Sequence, residues 1–219
     1  MSEILIDQPI DKLVITEMFH EQYYDSNVWS STFYLGFPIL KCPLDLWIYQ
    51  ELIYKIKPKV IIETGTFFGG SAWYLLNCQL SSGVKDGMII TIDVEQRVTL
   101  KHPNITQIIG MSTHPGSVYT CFDIVGKLGG PVIIILDSDH SKENVLAELD
   151  LYAKFVTKDS YLIVEDTNLN NNLLHTDEFD GPKEALDEWL PEHTNEFEVD
   201  KSCEKFMMTF NPGGYLRRL

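Results

Sequence analysis

The sequence predicts an α/β fold in which helices cover both faces of a mostly parallel β-sheet. Short runs of apolar and β-branched residues alternate with longer segments whose apolar residues recur at helical spacing. One run, residues 132–136, is entirely apolar, as expected for the centre of a parallel sheet. Counting the runs gives seven strands in a single domain, and we expect the last strand to be antiparallel.

The overall composition limits the classes of function. The chain has 219 residues, which suits one domain with appendages, and its formal net charge of −15 disfavours a nucleic-acid or anionic membrane partner. Four cysteines are scattered without a CxxC pair, which indicates reduced thiols and no zinc site. The sequence shows neither a signal peptide nor an apolar stretch of membrane-spanning length, so we expect a cytoplasmic protein without a membrane span.

The first 55 residues precede the predicted sheet. Aromatic and apolar residues at helical spacing predict a helix within residues 1–30, and residues 29–40 predict an ordered loop. Another helix is predicted over residues 43–53, which begin with a proline suited to a first helical turn. We therefore expect residues 1–55 to form a helical and loop cap on a core of residues 56–219.

The core elements follow one another in strand–helix order. The predicted strands are residues 60–63, 88–93, 105–110, 132–137, 161–166, 197–200 and 206–210. The predicted helices are residues 72–76, 118–128, 141–153 and 182–190. Residues 167–180 are predicted to be a long polar loop, and residues 211–214 a turn.

The stretch over residues 60–71 runs from a buried strand through glycines into a helix, as nucleotide-binding turns do. Glycines such as Gly65 and Gly69 let a ligand approach the backbone. A dinucleotide fingerprint needs glycine at the position of Phe67, so a pyrophosphate would meet a phenyl ring here. Glu63 at the strand tip instead suits a cationic ligand without phosphates, such as S-adenosylmethionine. The alternative is an ordinary strand–turn–helix corner.

Acidic residues end four of the predicted strands: Glu63, Asp93, Asp137 and the pair Glu165 and Asp166. Ligands of open parallel sheets bind outside the carboxyl ends of the strands, so these acids would line one negative pocket. Such a pocket needs cations, and without one we expect repulsion to raise the pKa of at least one carboxyl group. Asp93 would accept hydrogen bonds from a ribose diol, a role that dinucleotide sites share.

The acids Asp137, Asp139, Glu165 and Asp166 suit Mg²⁺ or another hard divalent cation, which prefers carboxylate oxygens and lowers the pKa of a bound hydroxyl. Consecutive strand residues point to opposite faces, so Glu165 and Asp166 reach one ion only if the chain turns after Glu165. We therefore predict that Asp166 lies at or beyond the strand end, with both carboxylates facing Asp137 or Asp139. Alternatively, Asp139 or Ser141 caps the helix that follows.

His140 follows these acids directly. A histidine beside metal-bound carboxylates is placed to act as a general base, although a structural role is the alternative. The sequence has no zinc-type spacing of histidine and cysteine and no serine in a nucleophile elbow. We therefore take His140 and Asp137 as the candidate catalytic residues.

Six segments together make the sequence similar to the cephalosporin hydroxylase family. They are residues 34–38, 45–47, 62–71, 136–141, 160–167 and 205–216, and the resemblance extends from residue 29 to the C-terminus. It implies the Rossmann-like fold of class I S-adenosylmethionine-dependent methyltransferases. The family includes rhamnosyl O-methyltransferases and antibiotic-tailoring enzymes, and it is more distantly similar to metal-dependent catechol O-methyltransferases.

The resemblance also implies site residues. Cofactor contacts are implied at Glu63, Gly65, Thr66, Ser71, Asp93 and Ser112, to which we add Gly69 from the glycine turn and Asp137 from its strand end. A metal is implied on an acid after the fourth strand together with Glu165 and Asp166, and the first acid is either Asp137 or Asp139. Asn144 stands where many relatives carry a second histidine, so no role is carried over to it.

We expect an S-adenosylmethionine- and Mg²⁺-dependent O-methyltransferase acting on a hydroxyl of a small molecule or sugar, in the tailoring of a natural product, glycolipid or polysaccharide. A homo-oligomer is compatible with the sequence. One alternative is a nicotinamide-dependent oxidoreductase, against which Phe67 argues. Another is a metal-dependent hydroxylase, whose usual iron site needs two histidines and a carboxylate. A binding protein without catalysis is disfavoured by the intact acids.

Overall fold

The computed structural model describes residues 12–169 and 180–219. The α-helices in these ranges are α1 Lys12–Asp25, α2 Pro43–Ile56, α3 Gly70–Ser81, α4 Pro115–Leu128, α5 Lys142–Tyr152 and α6 Pro182–Trp189. A small hairpin is formed by β1 Phe33–Tyr34 and β2 Phe37–Pro38. The remaining strands are β3 Val60–Thr64, β4 Met88–Asp93, β5 Ile105–Ile109, β6 Val132–Leu136, β7 Tyr161–Val164, β8 Phe197–Val199 and β9 Tyr215–Arg218.

Within the described residues, seven strands form the main sheet in the order β5-β4-β3-β6-β7-β9-β8. Neighbouring strands are parallel from β5 through β4, β3 and β6 to β7, and β9 is antiparallel to both β7 and β8. The predicted mostly parallel sheet with an antiparallel last strand is confirmed. Because β3 pairs with β4 on one side and β6 on the other, the chain winds away from β3 in both directions. This arrangement opens a crevice at the carboxyl ends of these strands.

Apolar residues on the two faces of the sheet form two cores. Val60 and Ile62 of β3 belong to a core shared with α4, α5 and α6, whereas Ile61 belongs to a core shared with α2 and α3. This alternation follows from the pleat, in which successive side chains point to opposite faces. The predicted helices on both faces are thus confirmed.

The segment predicted as the last strand, residues 206–210, is not a strand, and that prediction was wrong. Met207 has a positive φ of 70°, which interrupts an extended chain. The Asp45 carboxylate on α2 accepts hydrogen bonds from Thr209 Oγ1 at 2.5 Å and from the Phe210 N–H at 2.9 Å. Phe210 is buried in a third, smaller cluster with aromatic residues of the N-terminal segment. The apolar run therefore packs as a loop, and β9 completes the sheet.

Other differences concern the ends of elements. The β1–β2 hairpin lies in the segment predicted as an ordered loop, and α4 begins three residues before its predicted start, at Pro115. β7 ends at Val164, so Asp166 lies beyond the strand as predicted. Glu165 also lies beyond it. Most of the predicted loop over residues 167–180 falls outside the described residues.

Candidate functional site

A cavity of about 660 Å³ opens at the carboxyl ends of β3, β4 and β6. The loops that follow these strands and β5 form one part of its wall, and the N-terminal segment forms the rest. The predicted site residues that line it are Gly65, Thr66, Ser71, Asp93, Ser112, Asp137, Asp139, His140 and Asp166. Glu63, Gly69 and Glu165 are not among the residues that line it.

The turn after β3 depends on glycines at positive φ, with Gly65 at 89° and Gly69 at 79°. At Gly65 a Cβ atom would lie 1.8 Å from the carbonyl oxygen of Asp137. Only glycine therefore lets the turn pack against the loop after β6. A Cβ at Gly69 would meet the Leu100 side chain, and Gly69 precedes the first turn of α3. That first turn contains the buried Ser71 and lines the cavity.

Asp93, the last residue of β4, ties that strand to the glycine turn. Its Oδ2 accepts a hydrogen bond from the Phe67 N–H at 2.7 Å, and its Oδ1 accepts one from the Glu95 N–H at 3.0 Å. The first of these bonds holds Phe67 at a positive φ of 46°. A carboxylate has about four lone-pair sites, so Asp93 keeps acceptor capacity toward the cavity.

Glu63 is fully buried in β3. Its Oε2 accepts a hydrogen bond from Thr91 Oγ1 at 3.0 Å, and Thr91 Oγ1 lies 2.7 Å from Thr66 Oγ1. Burial raises the pKa of Glu63 to about 7, and the charge of Lys41 opposes this rise. Thr66 therefore connects the buried acid to the cavity wall.

Ser112 lies in the loop after β5 and is anchored from the helical side. Its carbonyl oxygen accepts a hydrogen bond from Tyr152 Oη of α5 at 2.6 Å. Ser112 is buried and also lines the cavity. The loop is thus fixed where the resemblance implies a cofactor contact.

Asp137, His140 and Asp166 converge at the cavity wall, and one potential ligand atom of each lies within 4.8 Å of the others. His140 Nε2 lies 3.3 Å from Asp137 Oδ1 and 3.4 Å from Asp166 Oδ2. Burial alone would lower the pKa of His140, but the hydrogen bond with Asp137 and the charge of Asp166 raise it to about 9. Burial raises the pKa of Asp166, and the charge of His140 opposes that shift. This wall is a concentration of negative charge that a cation would relieve.

Lys41 was not predicted as a site residue, yet its ammonium is buried between two of the acids. Nζ lies 2.6 Å from Asp137 Oδ2 and 2.5 Å from Glu165 Oε1. Tyr49 Oη donates a hydrogen bond to the same Glu165 oxygen at 2.8 Å. Burial alone would lower the pKa of Lys41, but the charges of Asp137 and Glu165 raise it. The available sequence signal was a lysine in the otherwise apolar run 39–42, because lysine is rarely buried unless it is paired.

Burial and the charge of Asp137 raise the pKa of Glu165. The direction agrees with the expectation of a raised carboxyl pKa, although burial contributes more to it than repulsion from Asp137 does. Glu165 does not belong to the group of Asp137, His140 and Asp166, because its carboxylate accepts hydrogen bonds from Lys41 and Tyr49 instead.

Asp139 is exposed, and its carboxylate has a local partner. Its Oδ1 accepts a hydrogen bond from the Ser141 N–H at 2.8 Å, in the turn that begins α5, and this bond lowers the pKa of Asp139. Asn144 donates from Nδ2 to Ser138 Oγ and to the Asp139 carbonyl oxygen, each at 3.1 Å. Asp139 thus fixes the turn that leads into α5, whose N-cap residue is Ser141 and has no side-chain capping bond. The capping alternative is therefore not what the structure shows.

Comparisons with known proteins identify the family. A family model described as Rhamnosyl O-methyltransferase/CmcI matches residues 26–219. A rhamnosyl O-methyltransferase of Mycobacterium leprae (strain TN) is 34% identical over 218 residues, which cover 98% of this chain and 94% of that protein. The chain belongs to the Rhamnosyl O-methyltransferase/CmcI family. A rhamnosyl O-methyltransferase of Mycobacterium tuberculosis (strain ATCC 25618 / H37Rv) is 32% identical over 209 residues, which cover 93% of this chain and 85% of that protein.

Solved structures of CmcI share the fold of this family member. CmcI D160 with Mg and SAM has a TM-score of 0.68 at 21% identity, covering 87% of this chain and 77% of that chain. CmcI N160 with SAH has a TM-score of 0.67 at 19% identity, covering 100% of this chain and 98% of that chain. The predicted Rossmann-like fold of class I methyltransferases is therefore confirmed.

Membership of the Rhamnosyl O-methyltransferase/CmcI family confirms the resemblance found in the sequence. It also confirms the prediction of an S-adenosylmethionine-dependent O-methyltransferase. The nicotinamide-dependent oxidoreductase and the metal-dependent hydroxylase are not favoured. In the part of the chain that the structure describes, every helix is too short or too polar to cross a membrane.

Proposed function

We propose that this enzyme transfers a methyl group from S-adenosylmethionine to a hydroxyl of a sugar or other small molecule, assisted by Mg²⁺ or another hard divalent cation. One observation carries the proposal. Asp137 packs its backbone against Gly65 of the glycine turn, and its side chain belongs to the group with His140 and Asp166. The methyl donor and the acceptor hydroxyl would therefore meet beside Asp137. The names of the mycobacterial relatives support a rhamnosyl acceptor.

The residues on one side of the cavity fit S-adenosylmethionine. The proposed cofactor set is Glu63, Gly65, Thr66, Gly69, Ser71, Asp93, Ser112 and Asp137. Asp93 has acceptor capacity left for the ribose hydroxyls, and the surrounding acids would balance the positive sulfonium. Phe67 stands where a pyrophosphate would need glycine. Glu63 and Gly69 do not line the cavity: Gly69 contributes through its positive φ in the turn, and Glu63 through Thr91 and Thr66.

The donor set on the other side fits a hard divalent cation, which carboxylate oxygens prefer. We propose that Asp137 and Asp166 hold the ion, with His140 beside them. The other two predicted ligands are Glu165 and Asp139. Glu165 accepts from Lys41, and Asp139 accepts from the Ser141 N–H, so each would have to lose that contact in order to bind the ion. When bound, such an ion lowers the pKa of the acceptor hydroxyl and so favours its alkoxide form.

The proposed reaction is a direct displacement. The acceptor oxygen attacks the methyl carbon, so a C–O bond forms while the C–S bond breaks. The sulfur keeps the electron pair of the broken bond, and the sulfonium becomes neutral S-adenosylhomocysteine. His140 Nε2 lies 3.3 Å from Asp137 and 3.4 Å from Asp166, whose charges raise its pKa. A cation bound to these two acids would offset their charges, so that the imidazole could be neutral and take the hydroxyl proton. The chain contributes chiefly by positioning the two substrates in line.

The N-terminal segment supplies the acceptor side of the cavity. Tyr24 and Trp29 line it, their ring centroids are 5.3 Å apart, and Phe210 packs against Tyr24 at 5.7 Å. Flat aromatic faces with polar edges suit the apolar face of a deoxysugar. Residues 1–55 remain the proposed cap on a core of residues 56–219, and the contact between Tyr24 and Phe210 joins the two.

The cellular setting and assembly are also proposals. All four cysteines are free and buried, which supports a reducing, cytoplasmic location. Self-association, which the sequence allows, is tested by analytical ultracentrifugation of the purified enzyme.

Mass spectrometry tests the reaction. The enzyme is incubated with methyl-labelled S-adenosylmethionine and a panel of rhamnosides, other glycosides and phenols, with and without Mg²⁺. Transfer of labelled methyl to a hydroxyl, lost after EDTA treatment and restored by Mg²⁺, is the expected result. Full transfer by EDTA-treated enzyme would refute the role of the ion, and absence of transfer to the whole panel would count against the proposed acceptor class.

A pair of variants tests the proposed ion ligands. Asp166→Asn should abolish the rise in Tm that Mg²⁺ produces by binding the folded state. Asp139→Asn keeps an oxygen that can accept from the Ser141 N–H, so its fold is preserved and its Mg²⁺ response should match the wild type. An equal loss in both variants would instead make Asp139 a ligand.

A further inference from the structure

The buried ammonium of Lys41 has no part in the reaction proposed above. Its side chain is 3% exposed, and Nζ bridges Asp137 Oδ2 and Glu165 Oε1 at 2.6 and 2.5 Å. Burying a charge is costly unless it is paired, and here two carboxylates supply the pairing. The contact joins residues that lie 96 and 124 positions from Lys41 in the chain, so it links the N-terminal segment to the acids at the sheet edge.

The backbone that carries Lys41 is held on both sides. The Ile39 N–H donates to the Thr32 carbonyl oxygen at 3.0 Å, at the base of the β1–β2 hairpin. Cys42, the next residue, is 1% exposed and precedes the first turn of α2. The backbone around Lys41 therefore holds the ammonium in contact with the acids. A lysine on the surface, by contrast, has a mobile side chain that can pair with different partners.

Glu165 has a second donor that does not depend on Lys41. Tyr49 Oη donates to Glu165 Oε1 at 2.8 Å, and Tyr49 Oη in turn accepts from Asn211 Nδ2 at 3.0 Å. The Glu165 carboxylate would therefore keep its orientation if the ammonium were removed. Removal would leave Asp137 Oδ2 and Glu165 Oε1 without the ammonium that they share, and so available to another cation.

We propose that Lys41 is a resident cation that competes with the divalent ion for Asp137 and Glu165. It holds these acids together when no ion is bound, and it weakens the binding of the ion. The inference rests on the proposed function, because it requires an ion at Asp137. An ion that took Asp137 Oδ2 or Glu165 Oε1 would have to displace the ammonium from that oxygen, and the two positive charges would repel each other. Loss of the lysine charge should therefore destabilise the ion-free protein and tighten ion binding.

Titration calorimetry with MgCl₂ on metal-stripped protein tests this inference. The compared proteins are the wild type, Lys41→Met, Lys41→Arg and a surface control, Lys127→Met, whose lysine side chain is 70% exposed. We expect Lys41→Met to bind Mg²⁺ about tenfold more tightly than the wild type, because a nearby positive charge is gone. The other two variants should bind as the wild type does. Without Mg²⁺, Lys41→Met should melt at a lower temperature, and Mg²⁺ should raise its Tm more than that of the wild type.

Equal or weaker Mg²⁺ binding by Lys41→Met would overturn the inference. If that variant does not fold without the ion, Lys41→Gln, which is neutral but keeps a hydrogen-bond donor, is titrated in its place and judged by the same criterion. The proposed function fails by a different measurement, namely methyl transfer by the wild type with and without Mg²⁺. A wild-type enzyme that needs Mg²⁺, together with unchanged affinity in the variants, would refute only the role of Lys41.

Discussion

Replacement of Asp93 by alanine tests the proposed ribose site most directly. The Asp93 carboxylate lines the cavity and accepts hydrogen bonds from the backbone N–H groups of Phe67 and Glu95. The substitution therefore removes the acceptors proposed for the ribose diol. It also releases Phe67 from the bond that holds it at positive φ.

The expected loss of affinity follows from these contacts. About two of the roughly four lone-pair sites of the carboxylate are used within the protein, which leaves about two for the ribose hydroxyls. A hydrogen bond to a charged group contributes about 1.5–3 kcal/mol, and the lower value applies because Asp93 is only partly buried. Two bonds then contribute about 3 kcal/mol, so S-adenosylhomocysteine should bind about a hundredfold more weakly. Loosening of the turn at Phe67 acts in the same direction, because the site becomes less pre-organised.

Titration calorimetry with S-adenosylhomocysteine measures this change, and circular dichroism verifies that the variant is folded at the temperature used. Asp86→Ala is the matched control. Asp86 lies just before the opposite end of β4, and its side chain is 77% exposed and paired with Lys59. We expect the control to bind as the wild type does. The reasoning is refuted if Asp93→Ala binds within about threefold of the wild type, or if the control is weakened to the same extent.

Three further substitutions test the packing around the site, and two of them have a matched control substitution. Asp45→Ala removes three hydrogen bonds accepted by a buried carboxylate, so the free energy of unfolding should fall by about 3 kcal/mol or more in urea denaturation. Gly65→Ala and Gly36→Ala both place alanine at positive φ, but only the first meets backbone atoms, so it alone should lose S-adenosylhomocysteine binding in calorimetry. Trp29→Ala should raise the KM for a glycoside acceptor in steady-state assays, whereas Trp47→Ala, at an exposed position, should not.

The parallel part of the sheet was predictable because its signals are local. A strand buried on both faces needs a continuous apolar run, and β6 was predicted at residues 132–137 and found at Val132–Leu136. For residues 206–210 the local pattern was not sufficient to predict the structure. Their apolar side chains are compatible with an edge strand, but Asp45 holds this segment from more than 160 positions away. A contact of such sequence separation leaves no periodic pattern, so the local pattern predicted the wrong structure.

The difference between local patterns and contacts between distant residues also applies to the site. Ligands bind at the carboxyl ends of parallel strands, so the sequence alone predicted Asp93, Asp137 and Asp166 as site residues. It did not identify the groups that neutralise these acids. Lys41 reaches them from a different element, and a lone lysine in a sequence carries no sign of its partner. Nor did the sequence show that a local bond from the Ser141 N–H engages the Asp139 carboxylate.

The pair Glu165 and Asp166 shows how two neighbouring acids come to different roles. The Glu165 N–H still donates to the Leu136 carbonyl oxygen at 3.0 Å, so this residue continues the ladder of β7. By the pleat its side chain follows that of Ile163 toward the face covered by α2, where Tyr49 and Lys41 meet it. Asp166 adopts a positive φ of 55°, which turns the chain and brings its carboxylate beside His140. Both acids thus approach Asp137, Asp166 directly and Glu165 through the ammonium of Lys41, and an ion that recruits Glu165 must first replace that ammonium.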